Sequence, residues 1–261
     1  MVGVLLMRGM LVGLLAGLLC FAFLKLAGEP SLDRAIAFEA SAGHQPEHSH
    51  DAQGAKETAA DHHDHGAGEE LVSRAVQSGL GLFIGVVVYS AAFGGLFALA
   101  FAFVHGRIDL DARGTAALLA TLAFVALYLM PSLKYPASPP SVGSAETIGV
   151  RTTLYFAMMA LSLAAMIAAV MLRKLLAERL DRWNASVVAG AAYLVVVALA
   201  AVILPAVDEV PAEFPATVLW QFRIASIGAQ LLMWATIGLV FGLWTARANQ
   251  AVQPRVGARA S

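Results

Sequence analysis

The chain has 261 residues, 59% of them hydrophobic and 13% charged, with a formal net charge of −1. Soluble domains carry roughly 25% charged residues, so a soluble globular protein is excluded, and no basic stripe exists that would hold nucleic acid. The one cysteine, Cys20, excludes an intrachain disulfide and any multi-cysteine metal site.

Six apolar runs are long enough to cross a hydrocarbon core of ~30 Å, which takes about 20 helical residues. They cover Val4–Leu24, Leu80–Val104, Thr115–Met130, Thr152–Leu172, Ser186–Leu204 and Ile224–Thr245. In lipid each run must satisfy its own backbone hydrogen bonds, which requires helices. The short alternating segments of a membrane β-barrel are missing. The expected fold is an all-α polytopic membrane protein with about six transmembrane helices and a disordered His-rich outer loop. Its parts are a first transmembrane helix (1–24), an extracytoplasmic His- and acid-rich loop (25–79), a bundle of about five spans (80–247) and a cytoplasmic tail (248–261).

The first span is too long for a signal-peptide core, and no small-x-small cleavage site follows it. Gly9, Gly13 and Gly17 recur every fourth residue, which stacks them on one face where another helix can approach closely. Gly81 and Gly85 repeat the pattern on the second span. Leu19 precedes Cys20 where a lipoprotein signal needs a small residue, so Cys20 reads as lipid- or helix-facing packing.

After the first span, residues 29–40 suit a short amphipathic helix, whereas Ser41 to Glu70 is polar, small and acidic with no aromatic residue to seed a core. Such a segment is expected to be disordered without a ligand. It holds six of the seven histidines: His44, His48, His50, His62, His63 and His65. Neutral imidazole is a preferred ligand for borderline divalent metals. Seven carboxylates from Glu47 to Glu70, opposed only by Lys56, concentrate cations around it. Ordering such a loop costs entropy, which favours weak, exchangeable capture. Affinity is expected to fall as pH drops toward ~6 and the imidazoles protonate. The loop cannot select one such metal, because Cu²⁺ and Zn²⁺ bind imidazole at least as well as Co²⁺ or Ni²⁺. The competing readings are a solvated acidic linker and a pH sensor. The seventh histidine, His105, closes the second span and reads as an interfacial helix-end residue.

Lysine and arginine set the orientation. Arg173, Lys174, Arg179 and Arg182 crowd the fourth loop, Arg107 and Arg113 the second, and Arg247, Arg255 and Arg259 the C-terminal tail. With six spans these lie on one side, and Arg8 agrees, so both termini are expected in the cytoplasm and the histidine loop outside. Apart from Arg8, the spans hold no mid-span charge of the kind proton-coupled carriers usually keep. No P-loop, H-E-x-x-H or G-x-S-x-G motif occurs, so neither ATP hydrolysis nor the common hydrolytic chemistries are supported, and the chain is not expected to be an enzyme. The polar or soft groups inside are Met130, Met158, Met159, Met166, Met233, Tyr89, Ser226 and Gln230. Two outer proline-rich stretches, Pro131–Pro140 and Pro205–Pro215, end helices and either free carbonyls for an outer vestibule or form plain turns. Asp208, Glu209 and Glu213 add negative charge there.

The run Pro211-Ala-Glu-Phe-Pro-Ala-Thr-Val-Leu-Trp-Gln-Phe-Arg-Ile-Ala-Ser226, followed by Gln230 and Trp234, resembles the closing segment of the CbtA family of predicted cobalt transporter subunits. The small-residue first helix, the histidine-rich first outer loop and the proline-rich segment after the third span are also similar. The resemblance implies cobalt uptake linked to vitamin B12 and a small one-span partner, CbtB, with its own histidines. It implies five spans, one fewer than the apolar runs give. The family pattern places a histidine after the proline ending the fifth span; here Ala206 follows Pro205, so no ligand role carries over. Trp220, Phe222 and Arg223 match, and read as an aromatic belt and charged anchor at the outer interface.

The expected function is the membrane subunit of a cobalt uptake transporter in the bacterial cytoplasmic membrane. Its partners are lipid, the divalent ion and a small CbtB-like subunit. Co²⁺ is expected as cargo, and no organic cofactor is expected. The alternatives are a non-transporting metal buffer or sensor, a nickel or zinc transporter, and, last, a membrane-embedded enzyme.

Overall fold

The computed structural model describes residues 2–42 and 76–252. Six helices are long and apolar enough to cross a membrane: α1 (Val2–Ser41), α2 (Ser78–Val104), α3 (Ala112–Lys134), α4 (Ile148–Leu176), α5 (Arg182–Ile203) and α6 (Ala216–Gln250). No strand occurs among the described residues. Successive helices run antiparallel, so the starts of α1, α3 and α5 share one end of the bundle with the ends of α2, α4 and α6. That end is the termini face; the opposite end is the loop face. Aspartates begin two helices at the termini face. Asp111 accepts the Gly114 N–H at 2.8 Å, and Asp181 accepts those of Trp183 and Asn184 at 3.1 Å each. These bonds satisfy donors that a helix start leaves open.

Small residues decide which helices meet. The buried face of α1 is Gly9, Val12, Gly13, Ala16, Gly17 and Cys20, a strip at three- and four-residue spacing. It lies against α2 so closely that a methyl group added to Gly13 would sit 2.3 Å from the Ser90 carbonyl oxygen, and one on Gly94 2.2 Å from that of Gly9. The expected face on α1 is therefore present. On α2 the packing residues are Ser90, Gly94 and Ala98; a methyl on Gly85 would meet nothing within 4 Å, and one on Gly81 only its own helix at Val76. The glycine spacing picked the right device on α2 but the wrong turn, because the contact lies deeper in the membrane. Cys20 faces a helix: its thiol donates to the Ala229 carbonyl of α6 at 3.3 Å. The α3–α6 contact repeats the logic, with Ala116 and Ala120 set against Gly242 and Gly238.

These contacts divide the bundle. Helices α1, α2, α3 and α6 share a core that includes Phe97, Phe101, Trp234, Ile237 and Phe241. Helices α4 and α5 form a hairpin with its own core, where Met158, Ala165 and Ala169 meet Tyr193 and Val197, and Ser162 bonds the Tyr193 hydroxyl at 2.8 Å. That second core continues onto Val125, Met130 and Tyr135 of the loop-face half of α3 and just beyond it. At the termini face the hairpin is tied to the rest by an exposed ion pair, Arg182–Asp109 at 3.2 Å.

Two helices differ from expectation in length. The first helix does not stop near Leu24. It passes through a π turn at Leu24–Gly28 and continues over Glu29–Ala42. The wide turn precedes Pro30, whose missing N–H and ring clash would otherwise break the helix. Ser31 donates to the Gly28 carbonyl and Arg34 to that of Pro30, each at 2.8 Å. The short amphipathic helix expected over 29–40 is thus the extension of α1 at the loop face. Similarly, α6 begins at Ala216, so Trp220 and Arg223 lie within it.

Candidate functional site

The extension of α1 lies across the two proline-rich loops. Ala35 is buried with Val142 of the α3–α4 loop and with Phe214 and Val218 at the start of α6; Phe38 packs edge-on to Phe214, ring centres 5.2 Å apart. Beside this cover, a cleft of ≈ 430 Å³ opens between the α4–α5 hairpin and the rest of the bundle. Tyr128 and Ser132 of α3, Arg151 and Tyr155 of α4, and Arg223 of α6 line it, with Asp208 and Glu209 from the α5–α6 loop. The prolines expected to shape either a vestibule or plain turns therefore frame a polar cleft.

Two of the four charges in the cleft, Glu209 and Arg151, are committed to each other. Glu209 accepts the Ser144 N–H and the Thr147 hydroxyl, both at 2.8 Å, and lies 3.6 Å from the Arg151 guanidinium. The Ser144 amide, then the Thr147 hydroxyl, then the Arg151 charge hold its carboxyl below the usual carboxylate range. Arg151 also donates to the Ser144 carbonyl at 3.0 Å. The loop wraps this guanidinium closely: Ser141 and Gly143 take positive φ values of 67° and 102°, and a methyl on Gly143 would lie 2.2 Å from an Arg151 nitrogen. Glu209 is thus a latch between the two loops at the loop face, where the sequence suggested a spare negative charge. Asp208 is exposed and holds no such partner among the described residues. Arg223, expected as an interface anchor, instead faces the cleft and donates to the Ala137 carbonyl at 3.4 Å. Trp220 is 65% exposed. Two arginines against two carboxylates leave the lining formally neutral.

Below the cleft the polar groups continue into the membrane. The Tyr128 hydroxyl and Ser226 of α6 are 2.8 Å apart. Gln230 lies one turn further along α6 from Ser226. Tyr128 of α3 and Tyr155 of α4 both line the cleft. Toward the termini face this group gives way to a dry aromatic core, in which Phe93 packs edge-on to Trp234 at 5.7 Å and Phe97 to Phe241 at 5.4 Å.

Sequence reading picked out Ser226, which pairs here with Tyr128, but missed Tyr128 and Tyr155. A usable signal existed: every tyrosine of the chain lies in a membrane span or at its end, and none lies in the polar loop. The methionines behave as packing. Met158 is 1% exposed inside the hairpin core, and Met233 is buried beside Trp234. His105 sits at the termini face, its ring stacked on Phe101 at 4.8 Å. Metal-ligand candidates His44, His48, His50, His62, His63 and His65 lie outside the described residues. Among the described residues no group of three or more His, Cys, Asp or Glu side chains is arranged to hold a metal ion.

Six apolar helices enclosing a polar cleft at one end define a multi-pass α-helical membrane protein. Within that class the chain belongs to the family of probable cobalt transporter subunits (CbtA), whose sequence profile matches residues 2–246, nearly the whole chain. Comparison with curated proteins and with solved structures gives no match.

Proposed function

We propose that this protein is the membrane subunit of a cobalt uptake system, in which the histidine loop collects Co²⁺ outside the cell and the bundle admits it through the cleft. The orientation rests on the excess of lysine and arginine at the termini face, which puts that face in the cytoplasm and the loop face outside. The membrane is the bacterial cytoplasmic membrane, and a small histidine-bearing one-span protein of the CbtB kind completes the transporter. The parts are then a membrane bundle over 80–247 joined to the first span, an outer loop within 25–79 and a short cytoplasmic tail.

The single observation that carries the hand-over is the course of α1. Its extension packs on Val142, which also lines the cleft, so the chain leading to the six histidines departs from the cleft's own rim. Six waters occupy about 180 Å³ at the ~30 Å³ per molecule of the liquid, so the ≈ 430 Å³ cleft admits a fully hydrated divalent ion. Its neutral lining neither traps nor repels one. A divalent cation moving inward gains about 4.6 kcal/mol per 100 mV of membrane potential, enough to drive uptake without ATP hydrolysis by this chain. The six histidines cannot supply the selectivity, which belongs to the bundle, the partner or regulation.

The test is accumulation of radioactive cobalt in cells expressing the chain with its partner. Uptake above an empty-vector control is expected, and its absence overturns the reading.

A further inference from the structure

We infer that the α4–α5 hairpin is the part of the bundle that moves during transport, swinging on its contact with α3, and that the Arg182–Asp109 pair is the tie that closes its termini end. The inference rests on the uptake reading above and deepens it by naming the moving element and its gate.

The hairpin is held firmly at one end only. Helix α5 packs on α4, and α4 in turn meets the bundle along α3 from Val125 to Lys134. Val125, Met130 and Tyr135 join the hairpin's own core there, and the Tyr135 hydroxyl donates to the Pro205 carbonyl at 2.8 Å. Pro205 follows α5 closely, so this bond pins the loop-face ends of α3 and α5 together.

Toward the termini face the two bodies part. Leu118 lies seven residues before Val125, almost two helical turns, and so shares its face of α3. Val125 packs on the hairpin core, yet Leu118 is 43% exposed. Each hairpin helix buries one stripe, Met158 to Ala169 on α4 and Ala185 to Val197 on α5. The Ser162–Tyr193 bond shows that these stripes face each other. Neither helix buries a second stripe against the bundle at this end.

What spans the parting is the Arg182–Asp109 pair at 3.2 Å, from the start of α5 to the α2–α3 loop. Among the described residues no other ion pair or side-chain hydrogen bond joins the hairpin to the bundle at the termini face. Both side chains are exposed, and exposed pairs hold weakly. A weak tie is what a gate needs, because it must open and close in every cycle.

Two separately packed bodies with one shared contact move as rigid units, the way helical carriers commonly expose a path to each side in turn. The cleft opens beside the shared contact at the loop face, and the parting lies beyond it at the termini face. Breaking the tie lets the termini end of the hairpin swing out and open an exit while the contact with α3 stays made.

Crosslinking tests this in the full chain carrying Cys20→Ala, so that only introduced thiols react. In Asp109→Cys/Arg182→Cys, a short bis-maleimide fastens the hairpin to the bundle. It is expected to abolish cobalt uptake, measured against the same variant treated with a mono-maleimide. In Arg173→Cys/Ser186→Cys the reagent joins only α4 to α5, at positions whose native side chains bond at 2.8 Å. Uptake is expected to be unchanged there. No loss in the first variant, or equal loss in the second, overturns the assignment. A second measurement does not depend on transport. Spin labels on Leu110→Cys and Trp183→Cys, both exposed, flank the tie and leave it intact. In lipid discs their separation is expected to show two populations, and Asp109→Asn is expected to enlarge the longer one. If it does so in a protein that transports no cobalt, the swinging hairpin stands and the uptake reading falls. A single separation, or populations that Asp109→Asn leaves unchanged, overturns the assignment.

Discussion

Replacing Gly13 by alanine separates two readings of glycine in these helices. Alanine is the better helix former by roughly 0.5–1 kcal/mol, so propensity alone predicts stabilisation. The new methyl would stand 2.3 Å from the Ser90 carbonyl oxygen and 2.8 Å from the Ala91 Cα, both backbone atoms of α2. Ordinary contact begins near 3.4 Å, so α1 and α2 must part by about 1 Å. They would then loosen a contact that also includes Gly9, Gly17 and Gly94. Overpacking of this kind costs typically ~1–3 kcal/mol, and here it outweighs the propensity gain, leaving a net loss of about 1–2 kcal/mol. Gly85→Ala is the matched control, because its methyl meets nothing within 4 Å and only the propensity gain remains. Thermal unfolding of both variants in one detergent is expected to show a lower midpoint for Gly13→Ala and an equal or higher one for Gly85→Ala. Equal midpoints for Gly13→Ala and the parent, or a larger loss in Gly85→Ala, would refute the packing argument.

Other outcomes follow from the outer loops and their charges. Glu209→Gln is expected to lower the unfolding midpoint by loosening the latch to Ser144, Thr147 and Arg151, while Glu213→Gln at the exposed neighbouring turn leaves it unchanged. The native carboxyl of Glu209 is held low, so its stabilisation is fully present above the ordinary carboxylate value of about 4.3 and is lost as pH falls through the lower native value. The difference between parent and Glu209→Gln should therefore persist from neutral pH to about 5 and vanish only in stronger acid. Uptake at low cobalt should fail at a higher pH, near ~6, where the loop imidazoles protonate. Comparing parent with a chain carrying alanine at all six loop histidines checks this, since the variant should lose that pH dependence. Asp109→Asn is expected to change stability by less than ~0.5 kcal/mol in a denaturant titration, because Arg182–Asp109 is 78%/85% exposed at its side chains and such pairs contribute little.

The number, type and order of the spans could be read from apolar run length, because lipid admits only one way to satisfy the backbone. Gly9, Gly13 and Gly17 were legible for the same reason: their spacing on one helix fixes a face. What lay beyond reach were properties of two helices at once. Nothing in the spacing of Gly81 and Gly85 says that α1 crosses α2 at Ser90 and Gly94. Glu209 looked like spare charge because its partners, Ser144, Thr147 and Arg151, come from another loop. Tyr128 and Tyr155 carry no motif, and only the packing of α3 beside α4 places both on one cleft. Arg223 reads as an anchor by its place beside Trp220, yet one helical face further round it meets the cleft.

Cobalt uptake as a function of external cobalt, compared between the full chain and one lacking residues 44–65, tests the division of labour most directly. A collecting loop above a conducting bundle predicts the same plateau rate for both, with the deleted form needing more cobalt to reach half of it. A deleted form that transports nothing at any concentration, or one whose curve overlays that of the full chain, would contradict the account.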